Sequence, residues 1–131
     1  MLQKSPSGSL CPYYYKNGEL HPLKYGSYFG GKARLFEIMK AEEEFILKSS
    51  GSHNRRVWID LYETVLDDET IDFLIGHLTA IQQKIHKLCL VGVSPRARRK
   101  IRAKMKRGNV DLYAQTRYFT DPEEGKQWLV S

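Results

Sequence analysis

The stretch LCLVGVSP, residues 88–95, indicates a short buried strand that leads directly into a helix. Its first six residues form a continuous apolar run, which is typical of a strand covered on both faces. Ser94 and Pro95 favour a helix start, because the serine hydroxyl can accept a hydrogen bond from a free backbone N–H and proline suits the first helical position. A strand that passes straight into a helix is the repeating unit of an α/β layered domain.

The same alternation of strands and helices continues towards the N-terminus. The nearly continuous apolar run 57–62 is typical of a buried central strand, and apolar residues at helical spacing predict a helix over residues 71–85. Residues 32–48 have the periodicity of an amphipathic helix, although Glu42 interrupts its apolar stripe. Residues 13–25 resemble two extended segments around an Asn-Gly turn.

The alternation also continues towards the C-terminus. Residues 96–107 form the helix that Ser94 and Pro95 open, and residues 112–119 are predicted to form a further strand. The segment 120–124, TDPEE, is a helix start, and Trp128 and Leu129 would anchor that last helix to the body of the protein.

Length and composition fit one domain of this kind. The chain has 131 residues, of which 41% are hydrophobic and 27% are charged, so it can bury a core and is not disordered as a whole. We predict an α/β fold with a mostly parallel mixed sheet of about five strands and about four helices. Residues 11–131 would form this single domain, and residues 1–10, rich in serine, would be a flexible N-terminus.

The positive charge of the chain is local. The formal net charge is +6, but eight basic side chains and no acidic one lie between Arg96 and Arg107. The other 119 residues hold 13 basic and 15 acidic side chains, which is a net charge of −2. This distribution excludes a generally basic protein of the histone or ribosomal type and directs attention to one helix.

No window approaches the roughly 18 apolar residues of a membrane span, and the N-terminus lacks the apolar core of a signal peptide. A cytoplasmic location is therefore expected. Cys11 and Cys89 show no metal-binding spacing with the histidines, and Cys89 lies in an apolar run where a thiol acts as a small hydrophobic side chain. We expect neither a metal nor a cofactor.

Several short motifs together resemble a known family. These are a buried strand that ends in Asp60-Leu61, an acidic loop that opens a helix, the strand 88–93 with Ser94-Pro95 after it, and the C-terminal segment 118–129, YFTDPEEGKQWL. Over residues 57–130 this pattern resembles the STAS domain, and its C-terminal part resembles the SpoIIAA-like branch, which includes anti-sigma-factor antagonists.

The resemblance implies a non-catalytic regulatory module, a small stand-alone bacterial member that binds a protein partner, a nucleotide or an apolar ligand. In the anti-sigma-factor antagonists a serine at the start of the second helix is switched by phosphorylation, and the resemblance places Thr70 at that position. Glu69 and Ile71 depart from the family's Asp-Ser-Ser-Gly motif. The alternative is that the acidic residues 67–69 only cap the helix and complement its dipole.

The basic helix has several potential partners. Ala97, Ile101 and Met105 form its only apolar row, so its other faces carry charge into solvent. The protein's own acidic helices, a second subunit, an acidic protein, an anionic membrane surface or nucleic acid phosphate would each balance that charge. The sequence does not indicate which of these partners the helix binds.

The sequence predicts contact regions at two helix starts and no catalytic residue. The aromatic residues of the N-terminal third would either line an apolar pocket or cover the sheet. Nucleic-acid or anion binding through Arg96–Arg107 is the competing function. The candidate partner- or ligand-binding residues are Asp60, Asp67, Asp68, Glu69, Ser94, Arg96, Arg98 and Arg99, and the candidate phosphoacceptor is Thr70.

Overall fold

The computed structural model describes residues 3–7, 10–11, 13–16, 18–25, 31–48, 55–112 and 115–131. From β4 onward its strands and helices alternate along the chain. The elements are β1 (Gln3–Lys4), β2 (Leu10–Cys11), β3 (Tyr13–Tyr15), β4 (Gly18–Lys24), α1 (Lys32–Lys48), β5 (Arg55–Asp60), α2 (Asp68–Ile81), β6 (Ile85–Val91), α3 (Pro95–Arg107), β7 (Gln115–Phe119) and α4 (Pro122–Leu129), with a 3₁₀ turn at Gln82–Lys84.

The strands β4, β5, β6 and β7 run parallel and lie side by side in chain order. The α/β class is therefore confirmed. The parallel sheet has four strands, not five, and the fifth strand in the row is the three-residue β3, which pairs antiparallel with β4. The short strands β1 and β2 form a separate antiparallel pair among the described residues.

The helices lie on both faces of this sheet. Successive parallel strands that advance in one direction with right-handed crossovers place their helices on one face, and α1, α2 and α3 lie there over the main core. The helix α4, which follows the last strand, packs on the opposite face against β5, β6 and β7. The apolar side chains on this face form a second cluster. It consists of Leu20, Trp58, Cys89, Val91 and Leu129, with Tyr13, Tyr15, Phe119, Trp128 and Val130 packed against it.

Two predicted boundaries differ from the structure. The helix predicted to residue 85 ends at Ile81, and Ile85 begins β6 after the 3₁₀ turn. Ile85 is four residues beyond Ile81, so its apolar character fits a fourth helical turn as well as the start of a strand. The predicted strand 112–119 is observed only at Gln115–Phe119, although residues 113–114 lie outside the described part.

A close contact fixes α4 on the sheet. A Cβ atom at Gly125 would lie 2.5 Å from the Cys89 Sγ atom, so only glycine allows the helix to approach β6 this closely. Cys89 is fully buried and free, and burial raises the pKa of its thiol to about 12. The thiol therefore acts as a small hydrophobic side chain in this layer.

Part of the predicted flexible segment 1–10 is attached to the body of the protein. Besides β1, Ser5 and Ser7 donate hydrogen bonds to a carboxylate oxygen of Glu42 on α1. None of the helices formed by the described residues combines the length and the apolar composition that crossing a lipid bilayer requires.

Candidate functional site

The two predicted contact regions are neighbours at one edge of the sheet. Parallel strands direct their carboxyl ends to the same side, so the loops after β5 and β6, and the helices α2 and α3 that follow them, begin close together. The Lys100 Nζ atom of α3 lies 3.5 Å from the Asp68 Oδ1 atom of α2. The sequence predicts both regions, and the tertiary structure brings them together.

Asp60 at the end of β5 stabilises the turn that follows. Its Oδ1 atom accepts a hydrogen bond of 3.0 Å from the backbone N–H of Tyr62. Tyr62 then crosses over Gly92, which has a φ of +84°, and a Cβ atom at Gly92 would lie 2.7 Å from the tyrosine Cγ atom. The Tyr62 hydroxyl donates to the carbonyl of Thr120, so this side chain joins the β5, β6 and β7 ends of the sheet.

The start of α2 is held by an acidic cap and a lysine. Asp67 is the N-cap residue, and its Oδ1 atom accepts a 2.9 Å hydrogen bond from the backbone N–H of Thr70. The Nζ atom of Lys32 lies 2.5 Å from the Asp67 Oδ2 atom and 3.2 Å from Glu69 Oε1. Lys32 and the backbone N–H of Thr70 hold the pKa of Asp67 well below its usual range, and Asp67 raises the pKa of Lys32.

Thr70, the candidate phosphoacceptor, lies inside this cap. The residue is 1% exposed, and its backbone N–H donates to the Asp67 carboxylate. A kinase would reach the hydroxyl only if the first turn of α2 opened. Phosphorylation at Thr70 stays a prediction, and it now requires that local opening.

The start of α3 has the cap that the sequence predicts. The Ser94 Oγ atom accepts a 3.1 Å hydrogen bond from the backbone N–H of Ala97, and Pro95 is the first helical residue. A surface cavity of about 310 Å³ lies between this helix start and the loop after β5. The residues that line it are Thr64, Leu66, Gly92, Ser94, Arg96, Ala97 and Lys100.

The basic helix α3 packs through the row that its sequence predicts. Ala97 and Ile101 are buried, and Met105 is partly buried against the main core. The next row faces α2 and carries lysines: Lys104 Nζ lies 3.0 Å from Asp72 Oδ1, and Lys100 pairs with Asp68. The protein's own acidic helix therefore balances two of the eight positive charges.

Most of the other basic residues of α3 are arginines. The guanidinium of Arg98 lies 4.9 Å from the ring centre of Tyr118 on β7 and covers that ring. The remaining basic residues are exposed and form no ion pair with any residue in the described ranges. They are Arg96, Arg99, Arg102, Lys106 and Arg107.

A second polar region, which the sequence does not predict, lies inside the protein on α1. The Glu42 carboxylate is fully buried, accepts hydrogen bonds from Ser5 and Ser7, and lies 3.6 Å from the Nε2 atom of His21. Arg55 donates a 2.9 Å hydrogen bond to the other ring nitrogen of His21. Burial tends to raise the pKa of Glu42, but the nearby His21 ring and the hydrogen bonds from Ser7 and Ser5 outweigh it, so the pKa lies below its ordinary value of 4.5.

Glu43, the next residue of α1, interacts with a histidine in a similar way. The His77 Nδ1 atom lies 3.0 Å from Glu43 Oε2, and its Nε2 atom lies 2.7 Å from the hydroxyl of Tyr25. His77 is 1% exposed, and burial lowers its pKa although Glu43 acts in the opposite direction. The histidine is therefore neutral at pH 7, donates to Glu43 and accepts from Tyr25.

The described N-terminal aromatic residues cover the sheet. Tyr13 and Tyr15 pack on the second apolar cluster, beside α4, and Tyr25 is fully buried in the main core. Tyr28 and Phe29 lie outside the described residues, and so does the side chain of Tyr14. A cavity formed by described residues lies at the start of α3, and Tyr13, Tyr15 and Tyr25 do not line it.

No protein-family model matches this chain, and comparisons with curated proteins and with solved structures give no match either. In the described part of the chain, no three histidine, cysteine or acidic side chains are grouped as metal ligands would be.

Proposed function

We propose that this chain is a non-catalytic binding and regulatory module of STAS type, which binds a protein partner or a small apolar or nucleotide ligand at the carboxyl edge of its sheet. The observation that carries this proposal is the cavity of about 310 Å³ between the β5–α2 loop and the start of α3. Pockets of this size at strand carboxyl ends are the usual ligand positions in α/β folds.

The lining of the cavity suits a ligand with an apolar part and an anionic group. Leu66 and Ala97 supply apolar surface, whereas Arg96 and Lys100 supply positive charge. The start of α3 adds backbone N–H groups and the positive end of the helix dipole. A nucleotide combines a flat apolar base with phosphates, so its chemistry complements both parts of this lining.

The polar groups around the cavity favour binding over catalysis. Asp60, Asp67 and Ser94 each use a side-chain oxygen to accept a backbone N–H, which is a structural role. A nucleophile would instead need an adjacent base within hydrogen-bond distance. The STAS assignment is supported by the observed elements, since Asp60 ends β5, Ser94 and Pro95 begin α3, and the C-terminal motif forms β7 and α4.

A titration observed by NMR tests the small-ligand form of this proposal. With ATP and GTP as probes, we expect saturable amide shifts at Thr64, Gly92 and Ser94, and Arg96→Glu should weaken binding about tenfold or more because it reverses the charge at the cavity. Arg34→Glu, an equal charge change on α1, is the matched control and should bind as the unmodified protein does. Shifts that do not saturate, or that ignore Arg96→Glu, would contradict the proposal.

Nucleic-acid or anion binding through α3 is the second candidate, and the exposed arginines favour it. Phosphate contacts would give an affinity that falls steeply with salt and depends little on sequence. Fluorescence anisotropy with a labelled DNA duplex at low salt tests it. Binding that disappears with Arg98→Glu and Arg102→Glu would support this candidate, and no binding at low salt would refute it.

A further inference from the structure

The face of α3 that points away from α2 carries Arg98, Arg99, Arg102 and Lys106, and we call it the arginine strip. The row on the α2 side is electrically balanced, because Lys100 and Lys104 pair with Asp68 and Asp72. In the strip, by contrast, Arg99, Arg102 and Lys106 are exposed and have no acidic partner among the described residues.

The helix dipole accounts for the positive charge at only one end of the strip. Cations are favourable in the last turn of a helix, which accounts for Lys106. Arg98 and Arg99 lie in the first turns, where the dipole disfavours positive charge, and like charges one turn apart repel each other. Apart from the contact of Arg98 with the Tyr118 ring, no described residue offsets this repulsion, so an external anion would complete the arrangement.

The shape of the strip favours a narrow anion. Along the helix, Arg99 and Lys106 are about 10 Å apart at 1.5 Å per residue. On the α2 side of the same helix, the acidic residues Asp68 and Asp72 remain 71% and 63% exposed. A nucleic acid duplex is wider than one helix and would bring phosphates towards these carboxylates, whereas an extended peptide can follow the strip without approaching them.

The chemistry of the strip favours carboxylates on a peptide over a single nucleic acid strand. Proteins that bind single strands stack the bases on aromatic rings. Among the described residues, the ring that contacts the strip is Tyr118, which is half-buried and already covered by the guanidinium of Arg98. Guanidinium groups, on the other hand, match the geometry of carboxylates with paired hydrogen bonds.

A symmetric contact between the strips of two copies of this chain is unfavourable. Two strips placed face to face would bring like charges together, which costs energy in a desolvated interface. We propose that the arginine strip docks an acidic, extended peptide segment of a partner protein. This inference rests on the proposed binding role, but its surface lies outside the cavity, which the strip's residues do not line.

Fluorescence anisotropy with a labelled peptide of about eight residues, alternating Glu and Ser, tests the docking surface, since that length spans the strip when extended. At about 50 mM salt we expect saturable binding that weakens as the salt concentration rises. The double variant Arg99→Glu and Arg102→Glu should weaken it about tenfold or more. The variant Arg99→Lys and Arg102→Lys should weaken it less, because it keeps the charge but loses the paired hydrogen bonds.

The controls separate this inference from its alternatives. The double variant Arg34→Glu and Lys48→Glu makes the same net-charge change on α1 and should leave peptide binding unchanged; equal loss in both variants would overturn the proposal, and so would no binding to the unmodified protein. Tighter binding of a single-stranded or duplex oligonucleotide than of the peptide would also overturn it, in favour of nucleic acid. Arg96→Glu at the cavity should affect nucleotide binding, so failure of the cavity and failure of the strip are distinguishable. Circular dichroism melting of each variant verifies that it is folded.

Discussion

The helices α1 and α3 both carry concentrated charge, but they use it in opposite ways. On α1, Glu42 and Glu43 point inward and meet histidines from β4 and α2. On α3, most of the charge points outward, and the arginine strip lies beyond the reach of the acidic side chains described around it. Charge on α1 therefore belongs to the architecture, whereas charge on the outer face of α3 is available to another molecule.

The difference follows from what each element packs against. A buried carboxylate is tolerated only where donors replace its water, and the segment containing Ser5 and Ser7 supplies them to Glu42. The outer arginines of α3 keep their water and need no internal partner. Stability measurements should therefore respond strongly to changes on α1, and binding measurements should respond to changes on α3.

The largest expected effect is from Glu42→Ala. The substitution leaves a cavity and removes the acceptor of the Ser5 and Ser7 hydrogen bonds, so it should reduce the free energy of unfolding by about 3 kcal/mol. Urea denaturation measures this loss. Glu44→Ala, at an exposed position of the same helix, is the matched control and should change stability by less than about 0.5 kcal/mol. A similar small change for both variants would show that Glu42 is not part of the architecture.

A smaller loss is expected on acidification. The pKa of His77 is lowered from 6.5 by burial, so the unfolded chain binds a proton on this group before the folded protein does. Its contribution is complete above pH 6.5 and is lost as the pH falls through the folded-state value. The lowered pKa of Glu42 acts in the same direction below pH 4.5.

Denaturation at several pH values measures this dependence. His77→Gln should remove the part of the loss that begins near pH 6.5, while keeping a side chain that can donate to Glu43. A stability that stays constant from pH 7 to the range just above 4.5 in the unmodified protein would rule out this role for His77.

The cap of α3 should have an intermediate effect. Ser94→Ala removes the acceptor for the Ala97 N–H and should cost about 1 kcal/mol of stability. Ser94→Asp keeps an acceptor at the same position and should restore most of that loss. If Ser94→Ala and Ser94→Asp have the same stability in urea, the cap does not hold this helix.

The smallest effect on stability is expected at the arginine strip. The double variant Arg99→Ser and Arg102→Ser removes repulsion and no internal partner, so the free energy of unfolding should change by less than about 0.5 kcal/mol and should rise rather than fall. Lys104→Ser should be more destabilising, because Lys104 is mostly buried and pairs with Asp72. A large loss for the arginine variant would assign the strip a structural role.

The local order of elements could be predicted from the sequence. The turn signal before β4, the caps before α2, α3 and α4, and the apolar runs of β5 and β6 are all local patterns, and each corresponds to an observed element. The helix end at Ile81 could not be predicted, because Ile85 suits both a helix and a strand. The interruption of the α1 stripe at Glu42 was visible in the sequence, but its meaning depends on His21 and the N-terminal serines.

The two helix starts of the candidate site were predictable from the sequence, but the cavity between them was not. Ser94, Asp67 and the basic residues of α3 follow from cap and charge patterns. The cavity between the β5–α2 loop and α3 does not, since it depends on how closely two loops approach each other. The burial of Thr70 is also a tertiary effect, because the same residue type at a helix start is often exposed.

The sequence by itself determined the α/β class, the helix starts and the position of the positive charge, because periodicity, caps and composition act over a few residues. Only the tertiary structure decided which charges are used inside the protein. Asp68 and Asp72 meet Lys100 and Lys104 because α2 and α3 lie side by side on one face of the sheet. The arginines of the strip lie on another face of the same helix and point away from α2. Which face of a helix meets a neighbouring helix is known only when the packing of the helices is known.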